Sequence, residues 1–480
     1  MLLTELIKNV KVLDVKGDIE NIEIFSLSQS IFNIKSNCLF FCYKGVNNDG
    51  HNFTIQAKQK GAVALIVERF ILNTDLPQIL VKNTRKIMPV ICNQFFNNVL
   101  KKIKLIGITG TNGKTTTSHL IYKILKENKY RVGLIGTNGC FYKNKKIKQS
   151  LTTPDTVDLF YIFNKMADEG IEYVIMEVSA HAISLNKLYG LKFEISALTN
   201  ITQDHLDFFR TMEKYSRTKL KFLDKRYSKV SFINIDDKYG QLFTKLIKTN
   251  IITYGLNFPA KCFAIDLNLT KNGSSFVCNV FDEVIIASTK LLGKFNVYNL
   301  LLAISISKYL SLTKNELLIG IKKINPVDGR MNLFKLKNGA VAVVDFAHTP
   351  DGLENVLASL NSLKQNGKLI CVFGCGGNRD KLKRSQMGEI ATKYADKVYI
   401  TSDNPRYEKP REIIEDITKF LKKQNFVIIE DRKEAIDTAI KNSSSGDIVL
   451  IAGKGAERYQ EVNGKKFKYS DKDVLKEYLI

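Results

Sequence analysis

The stretch KLIGITGTNGKTTTSHLIYKILKEN, residues 104–128, sets the fold of the central part of the chain. It opens with an apolar run that predicts a buried strand, passes through a glycine-rich turn, and continues with an apolar repeat that predicts a helix. Gly110 and Gly113 let backbone N–H groups approach a phosphate, and the N-terminus of the helix favours negative charge. Lys114 would reach the outer phosphates, and Thr115 is placed to bind Mg²⁺.

We interpret this stretch as an ATP site rather than a chance glycine-rich turn. The strict G-x-x-x-x-G-K-[ST] pattern is not met, because Ile108 stands where its first glycine belongs. The succession of strand, turn and helix still favours a nucleotide. The residues expected to contact ATP here are Gly110, Thr111, Asn112, Gly113, Lys114, Thr115 and Thr116.

Outside this stretch the sequence divides into three regions. Residues 1–100 carry short apolar runs, and residues 101–326 alternate strand-like with helical patterns. Residues 327–480 alternate most cleanly, with the runs VAVVDFAH, KLICVFGCGG, KVYITSDN and DIVLIAGKG. Near-continuous apolar strands separated by helices indicate parallel sheets that are covered on both faces. The predicted fold class is α/β with mostly parallel sheets in three domains.

Composition narrows the class of protein. The eight cysteines are scattered without zinc or redox spacing, which favours a reducing cytoplasm. No apolar run approaches the roughly 20 residues of a membrane span, and the first residues do not resemble a signal peptide. The net charge of +24 would suit a nucleic acid or an anionic substrate. Because the lysines are spread along the chain, we expect no nucleic-acid partner.

Further polar residues follow predicted strands. Glu177 and His205 could complete the shell of a divalent metal, although either alone is more often a helix cap or a surface residue. In TSDNPR, an Asx-Pro turn explains Asp403 and Asn404 but not Arg406. This turn lies where open parallel sheets bind ligands, at the carboxyl end of a strand.

Seven other positions carry groups suited to a binding site. Asn296 and Asn299 could hydrogen-bond a base edge or simply form a turn, and Arg379 is consistent with an anion site. The others lie near the boundary of the third region or at strand ends: Arg330, Asp345, His348, Gly453 and Glu457.

In their order along the chain, these motifs resemble the Mur ligase family. The resemblance covers nearly the whole chain and is closest to the members that add the third residue of the peptidoglycan stem peptide. It begins with GVNNDGHNF at Gly45–Phe53, and the later motifs are TGTNGKTTT, LTTPDT, MEVSAH, TNITQDHLDFF, FNVYN, DGRMN, VDFAHTPDGL, FGCGGNRD, TSDNPR and AGKGAERYQ.

The resemblance implies three domains and a reaction. Residues 1–100 would bind the UDP-muramyl-peptide, residues 101–326 would form the central ATP-binding domain with its phosphate loop, and residues 327–480 a Rossmann-like domain for the amino acid. ATP would phosphorylate the terminal carboxylate of UDP-MurNAc-L-Ala-D-Glu, and an amine of meso-diaminopimelate would attack the acyl phosphate. The implied cofactors are ATP and Mg²⁺, and a cytoplasmic monomer is expected.

Carried over residue by residue, the resemblance assigns four sets. The catalytic set is Lys114, Glu177, His205 and Lys219, and the metal ligands are Thr115, Glu177, His205 and, if carbamylated, Lys219. The nucleotide set adds Asn296, Asn299, Arg330, Asp345 and His348. The UDP-muramyl set is Thr152, Thr153, Ser179 and Lys187. The diaminopimelate set is Arg379, Asp403, Asn404, Arg406, Gly453 and Glu457.

The chain departs from the family pattern at several places. The usual Asp-Ser-Arg near the start is Ser30-Ile31-Phe32, so the uridine contacts stay open. Ala180 replaces a serine, Lys187 an arginine, Asp328 a proline and Ala456 a histidine.

Three other functions stay in consideration: an L-lysine-adding ligase of the same family, a folylpolyglutamate synthetase, and a basic P-loop protein that binds nucleic acid. Arg406 favours diaminopimelate over lysine, because arginine can bind the extra carboxylate bidentately. Members of the family that use diaminopimelate carry arginine at this place, and those that use lysine generally do not.

Overall fold

The computed structural model describes residues 1–45, 48–364 and 366–480. In the motif at Gly45–Phe53, Val46 and Asn47 lie outside the described residues. The chain forms two compact units, one of residues 1–107, 130–196 and 221–229 and one of residues 108–129, 197–220 and 230–480. The boundaries of the three expected domains stay a prediction. No helix in the described ranges is both long enough and apolar enough to cross a membrane.

The N-terminal part of the first unit contains a five-stranded sheet in the order β1-β5-β4-β3-β2. Its strands are β1 (Val12–Lys16), β2 (Ser26–Ser28), β3 (Cys38–Phe41), β4 (Ala62–Val67) and β5 (Gln78–Val81), and its helices are α1 (Leu3–Ile7), α2 (Thr54–Gln59) and α3 (Thr84–Phe95). β1 pairs with β5 antiparallel, and the other pairs are parallel. β4 is buried on both faces, as its AVALIV sequence predicts for a central parallel strand.

An eleven-stranded sheet follows, in the order β16-β15-β14-β13-β12-β11-β6-β10-β7-β8-β9. Its strands are β6 (Lys104–Thr109), β7 (Val132–Gly136), β8 (Gly139–Tyr142), β9 (Lys145–Ile147), β10 (Tyr173–Glu177), β11 (Phe193–Leu198), β12 (Ser228–Asn234), β13 (Asn250–Gly255), β14 (Cys262–Thr270), β15 (Gly273–Val280) and β16 (Glu283–Thr289). Its helices are α4 (Lys114–Glu127), α5 (Thr156–Asp168), α6 (Ala180–Ser184), α7 (Leu206–Phe209), α8 (Met212–Leu223), α9 (Lys238–Leu246), α10 (Lys294–Tyr309) and α11 (Lys314–Lys322).

The strand, turn and helix expected in residues 104–128 are confirmed as β6 and α4. The antiparallel meander β14-β15-β16 differs from the expected alternation of strands and helices. Burial along β15 and β16 alternates residue by residue, which is the signature of strands with one wet face. Phe281 and Asp282 both have positive φ, as a tight two-residue hairpin turn requires.

The C-terminal part contains a six-stranded sheet in the order β17-β18-β22-β19-β20-β21. Its strands are β17 (Asn332–Lys335), β18 (Val341–Asp345), β19 (Leu369–Phe373), β20 (Lys397–Ile400), β21 (Phe426–Ile428) and β22 (Ile448–Ala452). The helices are α12 (Pro350–Leu363), α13 (Leu382–Tyr394), α14 (Pro410–Thr418), α15 (Arg432–Lys441) and α16 (Asp471–Leu475), and a separate hairpin joins β23 (Tyr459–Val462) to β24 (Lys465–Lys468).

All strands of this sheet except β17 run parallel to their neighbours. The carboxyl ends of β18, β19, β20 and β22 therefore meet at one edge. Apolar side chains fill both faces of the sheet, so only the residues just beyond the strand ends are free to be polar. The expected α/β class is confirmed.

A buried ion pair fixes the last residues of the chain beneath this edge. Arg432 donates to Asp471 from Nε and Nη2, both at 2.8 Å, and both side chains are almost completely buried. Arg432 also donates to the carbonyl of Ala452 at 2.9 Å. Because Ala452 ends β22, the pair connects α15 and α16 to the strand end.

Asp471→Asn should lower the free energy of unfolding by about 3 kcal/mol or more, because it leaves the buried Arg432 cation without its anion. The matched control is Asp473→Asn, which removes a half-exposed carboxylate paired with Lys476. That control should cost less than about 1 kcal/mol. Denaturant unfolding of the two variants measures the difference, and equal losses would contradict this role of the pair.

Candidate active site

The loop between β6 and α4 approaches its neighbours so closely that two of its positions accept only glycine. Gly110 has φ +151°, and a Cβ there would collide with Thr199 Oγ1. Gly113 has φ +82°, and a Cβ would lie 2.5 Å from Asn299 Oδ1. Gly113 is also the N-cap of α4, so the first N–H groups of that helix face the loop. The N–H groups of Thr111 and Asn112 donate to Asn200, so the donors left beside the loop are those of the α4 N-terminus.

Two lysine side chains converge on this loop. Lys114 Nζ donates to the carbonyls of Gly110 at 2.8 Å and Thr111 at 2.7 Å. Lys219, on α8, is fully buried and donates to Gly110 at 2.8 Å. Burial, with the nearby charge of Lys114, holds the pKa of Lys219 well below its usual range. Burial and the charge of Lys114 thus favour the uncharged form of Lys219.

The predicted asparagines brace the loop from α10. Asn299 Oδ1 accepts from Thr117 Oγ1 at 3.1 Å, and Asn299 Nδ2 donates to Asn296 Oδ1 at 3.0 Å. Asn296 in turn donates to Leu292 O. Both amides are buried, and their hydrogen bonds stabilise the position of α4. Their contact with a base stays a prediction.

Residues of the third region also reach the loop. Asn112 Nδ2 donates to Asp351 Oδ2 at 2.7 Å, and Asn112 Oδ1 accepts from Thr349 Oγ1 at 3.2 Å. Arg330 Nη2 donates to Thr115 Oγ1 at 3.1 Å, and its guanidinium lies 4.5 Å from the ring centroid of Phe346. The loop is therefore held by the C-terminal region as well as by its own helix.

Asp345, a predicted nucleotide residue, has a different setting. Its Oδ2 accepts from Met331 N at 2.7 Å and its Oδ1 from Ala347 N at 2.8 Å. Burial raises the pKa of its carboxyl, and Arg330 opposes that shift. Asp345 thus orients the segment that carries Arg330, and a direct contact with nucleotide stays a prediction.

Asp204 is a buried carboxylate that the sequence did not single out. It contacts side chains of both the central region and the third region. Asp204 lies 3.4 Å from Lys383 Nζ, 3.2 Å from His205 Nε2 and 4.0 Å from His348 Nε2. Burial by itself raises the pKa of Asp204, but Lys383 and the two imidazoles outweigh it and lower the pKa. His205 has φ +57°, a strained backbone for a residue with a side chain, and its N–H donates to Asp204 Oδ1.

A second polar cluster lies at the carboxyl ends of β20 and β22. Lys454, fully buried, donates to Asn404 Oδ1 at 2.9 Å and to Glu457 Oε2 at 3.3 Å, and lies 3.7 Å from Asp403. Asn404 Nδ2 donates to Glu457 Oε2 at 2.9 Å. Burial raises the pKa of Glu457, whereas Lys454 and its neighbouring cations overcome burial at Asp403 and lower its pKa. The predicted residues Asp403, Asn404 and Glu457 are thus adjacent.

The two predicted arginines differ in their partners. Arg406 donates from Nη1 to Gly377 O at 2.8 Å and lies 3.3 Å from Glu461 through Nε. Within the described part of the chain, the Arg379 side chain makes no hydrogen bond or ion pair. Enclosure of its guanidinium, with the charge of Arg406 nearby, lowers the pKa of Arg379. The exposed Arg379 side chain is therefore able to contact an external anion.

The residues expected to hold the UDP-muramyl substrate lie in the first unit. Glu177, at the end of β10, is buried and accepts from the backbone and side chain of Thr137 at 2.9 and 3.0 Å. Thr152 contacts the Thr137 hydroxyl at 3.0 Å. Thr153 donates to Glu177 O at 2.9 Å and to Ser179 Oγ at 3.3 Å.

The remaining residue of that set, Lys187, lies 2.6 Å from Asp155 Oδ1 and is therefore already paired. Glu177, Thr152, Thr153 and Ser179 form one cluster by the contacts above, and Lys187 makes a separate one with Asp155.

Sequence reasoning missed Lys454, Asp204 and Lys383. Lys454 could have been found, because a lysine between glycines directly after a buried strand is as unusual as the Gly453 that was noted. Asp204 and Lys383 are 179 residues apart, and no local pattern links them. Among the described residues, no three His, Cys, Asp or Glu side chains are grouped to hold a metal ion.

Burial and the charge of Lys383 lower the pKa of His348 to about 4, and its Nδ1–H donates to Phe346 O. The pKa of histidine in an unfolded chain is about 6.5. The unfolded chain therefore binds more protons between these two values, so the stability due to neutral His348 is complete above about pH 6.5 and is lost as the pH falls towards about 4.

We therefore expect the imidazole NMR signal that disappears in His348→Gln to titrate with a midpoint near pH 4. Lys383→Met should move that midpoint upward, because it removes the repelling cation. A midpoint near that of a free histidine in the unaltered chain would contradict the geometry.

Comparison with known proteins supplies the family. The Mur ligase middle domain matches residues 108–307, and the Mur ligase glutamate ligase domain matches residues 329–455. A UDP-N-acetylmuramoyl-L-alanyl-D-glutamate--2,6-diaminopimelate ligase of Clostridium acetobutylicum is 40% identical over 487 residues, covering 100% of this chain and 99% of its own. The enzyme of the same name from Clostridioides difficile is 40% identical over 486 residues, with the same coverage.

The fold gives the same result. A solved structure of a UDP-N-acetylmuramoyl-L-alanyl-D-glutamate--2,6-diaminopimelate ligase matches with a TM-score of 0.70 and 29% identity, covering 99% of this chain and 98% of that one. The resemblance read from the motifs is thereby confirmed over the full length. The chain belongs to the Mur ligase family.

Proposed function

We propose that the chain is an ATP-dependent ligase that joins meso-diaminopimelate to UDP-N-acetylmuramoyl-L-alanyl-D-glutamate. The observation that carries the amino-acid assignment is the pair of guanidinium groups, Arg379 and Arg406, beside the acceptors Asp403 and Glu457. The full-length relatives named as diaminopimelate ligases support the same assignment. The eight buried thiols suit a reducing compartment, so the proposal places the reaction in the cytoplasm.

The phosphate loop fits ATP. Its two glycine positions have no room for a Cβ, the first N–H groups of α4 face it, and the Lys114 ammonium is within the loop. Phosphate oxygens are stronger acceptors than the carbonyls that Lys114 now contacts, so we infer that this ammonium turns to the outer phosphates. Arg330 sits beside Thr115, where it would meet the same phosphates.

The proposed Mg²⁺ ligands are Thr115, Glu177, His205 and Lys219. The hydroxyl of Thr115 and the carboxylate of Glu177 are the oxygen donors that Mg²⁺ prefers. Lys219 can join them only as a carbamate, and its buried, neutral amine is suited to that modification. The metal would supply positive charge that offsets the charge developing on the transferred phosphate.

Each side chain has a defined task in the proposed reaction. A carboxylate is a poor electrophile, so its phosphorylation creates a leaving group, and Lys114 stabilises the phosphate charge. Lys219 donates to Gly110 O in the loop. Asp204 lies 3.2 Å from His205 Nε2 and orients that imidazole. At the strand ends, Asp403 and Glu457 accept from the ammonium of the incoming amino acid, and the arginines bind its carboxylates. Fixing both ends aligns the attacking amine with the acyl phosphate.

An L-lysine-adding ligase is the second candidate, because it would use the same nucleotide chemistry. Lysine has an ammonium but no carboxylate at its far end, so it would give the exposed Arg379 guanidinium no second anion to bind. The Arg379 side chain, which makes no ion pair among the described residues, therefore favours diaminopimelate.

The direct test is an ADP-release assay on the purified chain with UDP-MurNAc-L-Ala-D-Glu. We expect release to depend on meso-diaminopimelate and to be much slower with L-lysine at equal concentration. Faster release with L-lysine would reverse the assignment. Hydrolysis stimulated by DNA or RNA but not by the UDP-dipeptide with a diamino acid would remove the ligase function altogether.

Arg406→Ala should lower kcat/KM for meso-diaminopimelate by roughly 10²-fold or more, which corresponds to the loss of a charge-assisted pair of about 3 kcal/mol. The KM for ATP should change little, because Arg406 lies away from the phosphate loop's own contacts. Arg411→Ala, an exposed arginine on α14, is the matched control. Near-normal kinetics with meso-diaminopimelate in Arg406→Ala would refute the assignment of this residue.

A further inference from the structure

We propose that the β23–β24 hairpin determines amino-acid selectivity, because Glu461 holds the Arg406 guanidinium so that its outer Nη2 edge faces the distal carboxylate of the substrate. This inference rests on the proposed function and deepens it. Glu461 follows the last motif of the family resemblance and was not among its predicted site residues. It would act as a positioning residue, since its contacts are with Arg406 rather than with substrate.

The hairpin first fixes the backbone of Arg406. Arg406 N donates to Glu461 O at 3.0 Å, and Asn463 N donates to Arg406 O at 2.6 Å. Arg406 has φ +53°, a left-handed conformation that residues with a side chain rarely adopt. These two hydrogen bonds hold it there, and they direct the side chain back over the strand end.

The hairpin then fixes the guanidinium itself. Glu461 Oε2 lies 3.3 Å from Arg406 Nε, and Gly377 O accepts from Nη1 at 2.8 Å. A Cβ on Gly376 would lie 2.9 Å from Nη1, so glycine is needed there for this orientation. Two contacts on different nitrogens define the plane of the fork. Among the described residues, Nη2 of Arg406 donates no hydrogen bond.

The same hairpin also positions the acceptors of the pocket. Glu461 N donates to Asn404 Oδ1 at 3.0 Å, and Gln460 Nε2 donates to the Asp403 carbonyl at 2.7 Å. The group that would bind the distal carboxylate and the groups that would bind the distal ammonium are thus held by adjacent residues. Their separation is set by the hairpin rather than by the turn alone.

Glu461 has two opposing effects on an anionic substrate. Its charge weakens the attraction of Arg406 for another carboxylate, whereas the ion pair at Nε restrains the guanidinium plane. Both side chains are about one-fifth exposed, so the charge effect is partly screened. A bidentate contact depends on alignment, because a rotated fork loses one of its two hydrogen bonds. We therefore expect alignment to dominate.

Three variants of the full chain separate these effects. Glu461→Ala removes the ion pair together with its oxygen atoms, and Glu461→Gln removes the charge but keeps an acceptor oxygen. Glu415→Gln is the matched control, since Glu415 is exposed on α14 and pairs only with Arg411. ADP release is measured against the concentrations of meso-diaminopimelate and L-lysine, with ATP and the UDP-dipeptide saturating.

Glu461→Ala should raise KM for meso-diaminopimelate by about tenfold, because the guanidinium loses one of the two contacts that align it, with kcat within about twofold. Its kcat/KM for L-lysine should stay within about twofold, because lysine has no distal carboxylate to lose. Glu461→Gln should recover most of the KM, and Glu415→Gln should match the unaltered chain.

An unchanged or lower KM for meso-diaminopimelate in Glu461→Ala would overturn the inference. An equal loss of kcat/KM for both amino acids would also overturn it, since that pattern indicates general loosening of the pocket. The unaltered chain separates this from the proposed function. If it does not turn over meso-diaminopimelate, the proposed function fails, whereas turnover with an unaffected Glu461→Ala removes only the role of the hairpin.

Discussion

The close approach of backbone at Gly110 and Gly113 is the constraint on which the rest of the site depends. No side chain fits at either position, because Thr199 and Asn299 occupy the space that a Cβ would need. Side chains from several elements can therefore contact the loop at the same time. Lys219 contacts it from α8, Asn299 from α10, and Asp351 through Asn112 from α12. Each of these contacts helps to hold the loop backbone where a phosphate would bind.

Buried charge is concentrated around this loop and at the strand ends of the C-terminal sheet. Lys383, Arg432 and Lys454 are each buried, and each has a named carboxylate partner. A buried cation without its anion would cost several kcal/mol, roughly. These pairs therefore hold their charges at fixed distances. An anionic substrate would bind in an electrostatic field that exists before it arrives.

The two clusters have different chemistry because their charges are balanced differently. At Asp204 one carboxylate lies beside a lysine and two imidazoles, and burial together with the charge of Lys383 lowers the pKa of His348. At the strand ends, Lys454 lies among Asp403, Asn404 and Glu457, and the two arginines lie farther out. The first arrangement suits the orientation of groups around phosphate. The second offers both acceptors and cations, as an amino acid with charges at both ends requires.

Much of this could be predicted from the sequence. The periodicity of apolar residues and the turn residues predicted the strand, loop and helix of residues 104–128 and the parallel sheets. The parallel sheets in turn predicted the edge at which Asp403, Arg406 and Glu457 meet. The meander β14-β15-β16 was not predicted, because its half-exposed strands resemble other amphipathic patterns over short lengths. The contacts of Asp345 and Asn296 with nucleotide stay predictions, and in the structure both side chains are hydrogen-bonded to the protein.

The sequence by itself determined which residues reach a strand end, because apolar runs and glycine turns are local and the carboxyl ends of parallel strands converge. Only the tertiary structure decided which charges are paired. Asp204 meets Lys383 across 179 residues, and Glu461 meets Arg406 through a hairpin whose backbone holds a strained turn. Such pairs depend on burial and on the direction of each side chain, and both are set by packing between distant segments that no local pattern encodes.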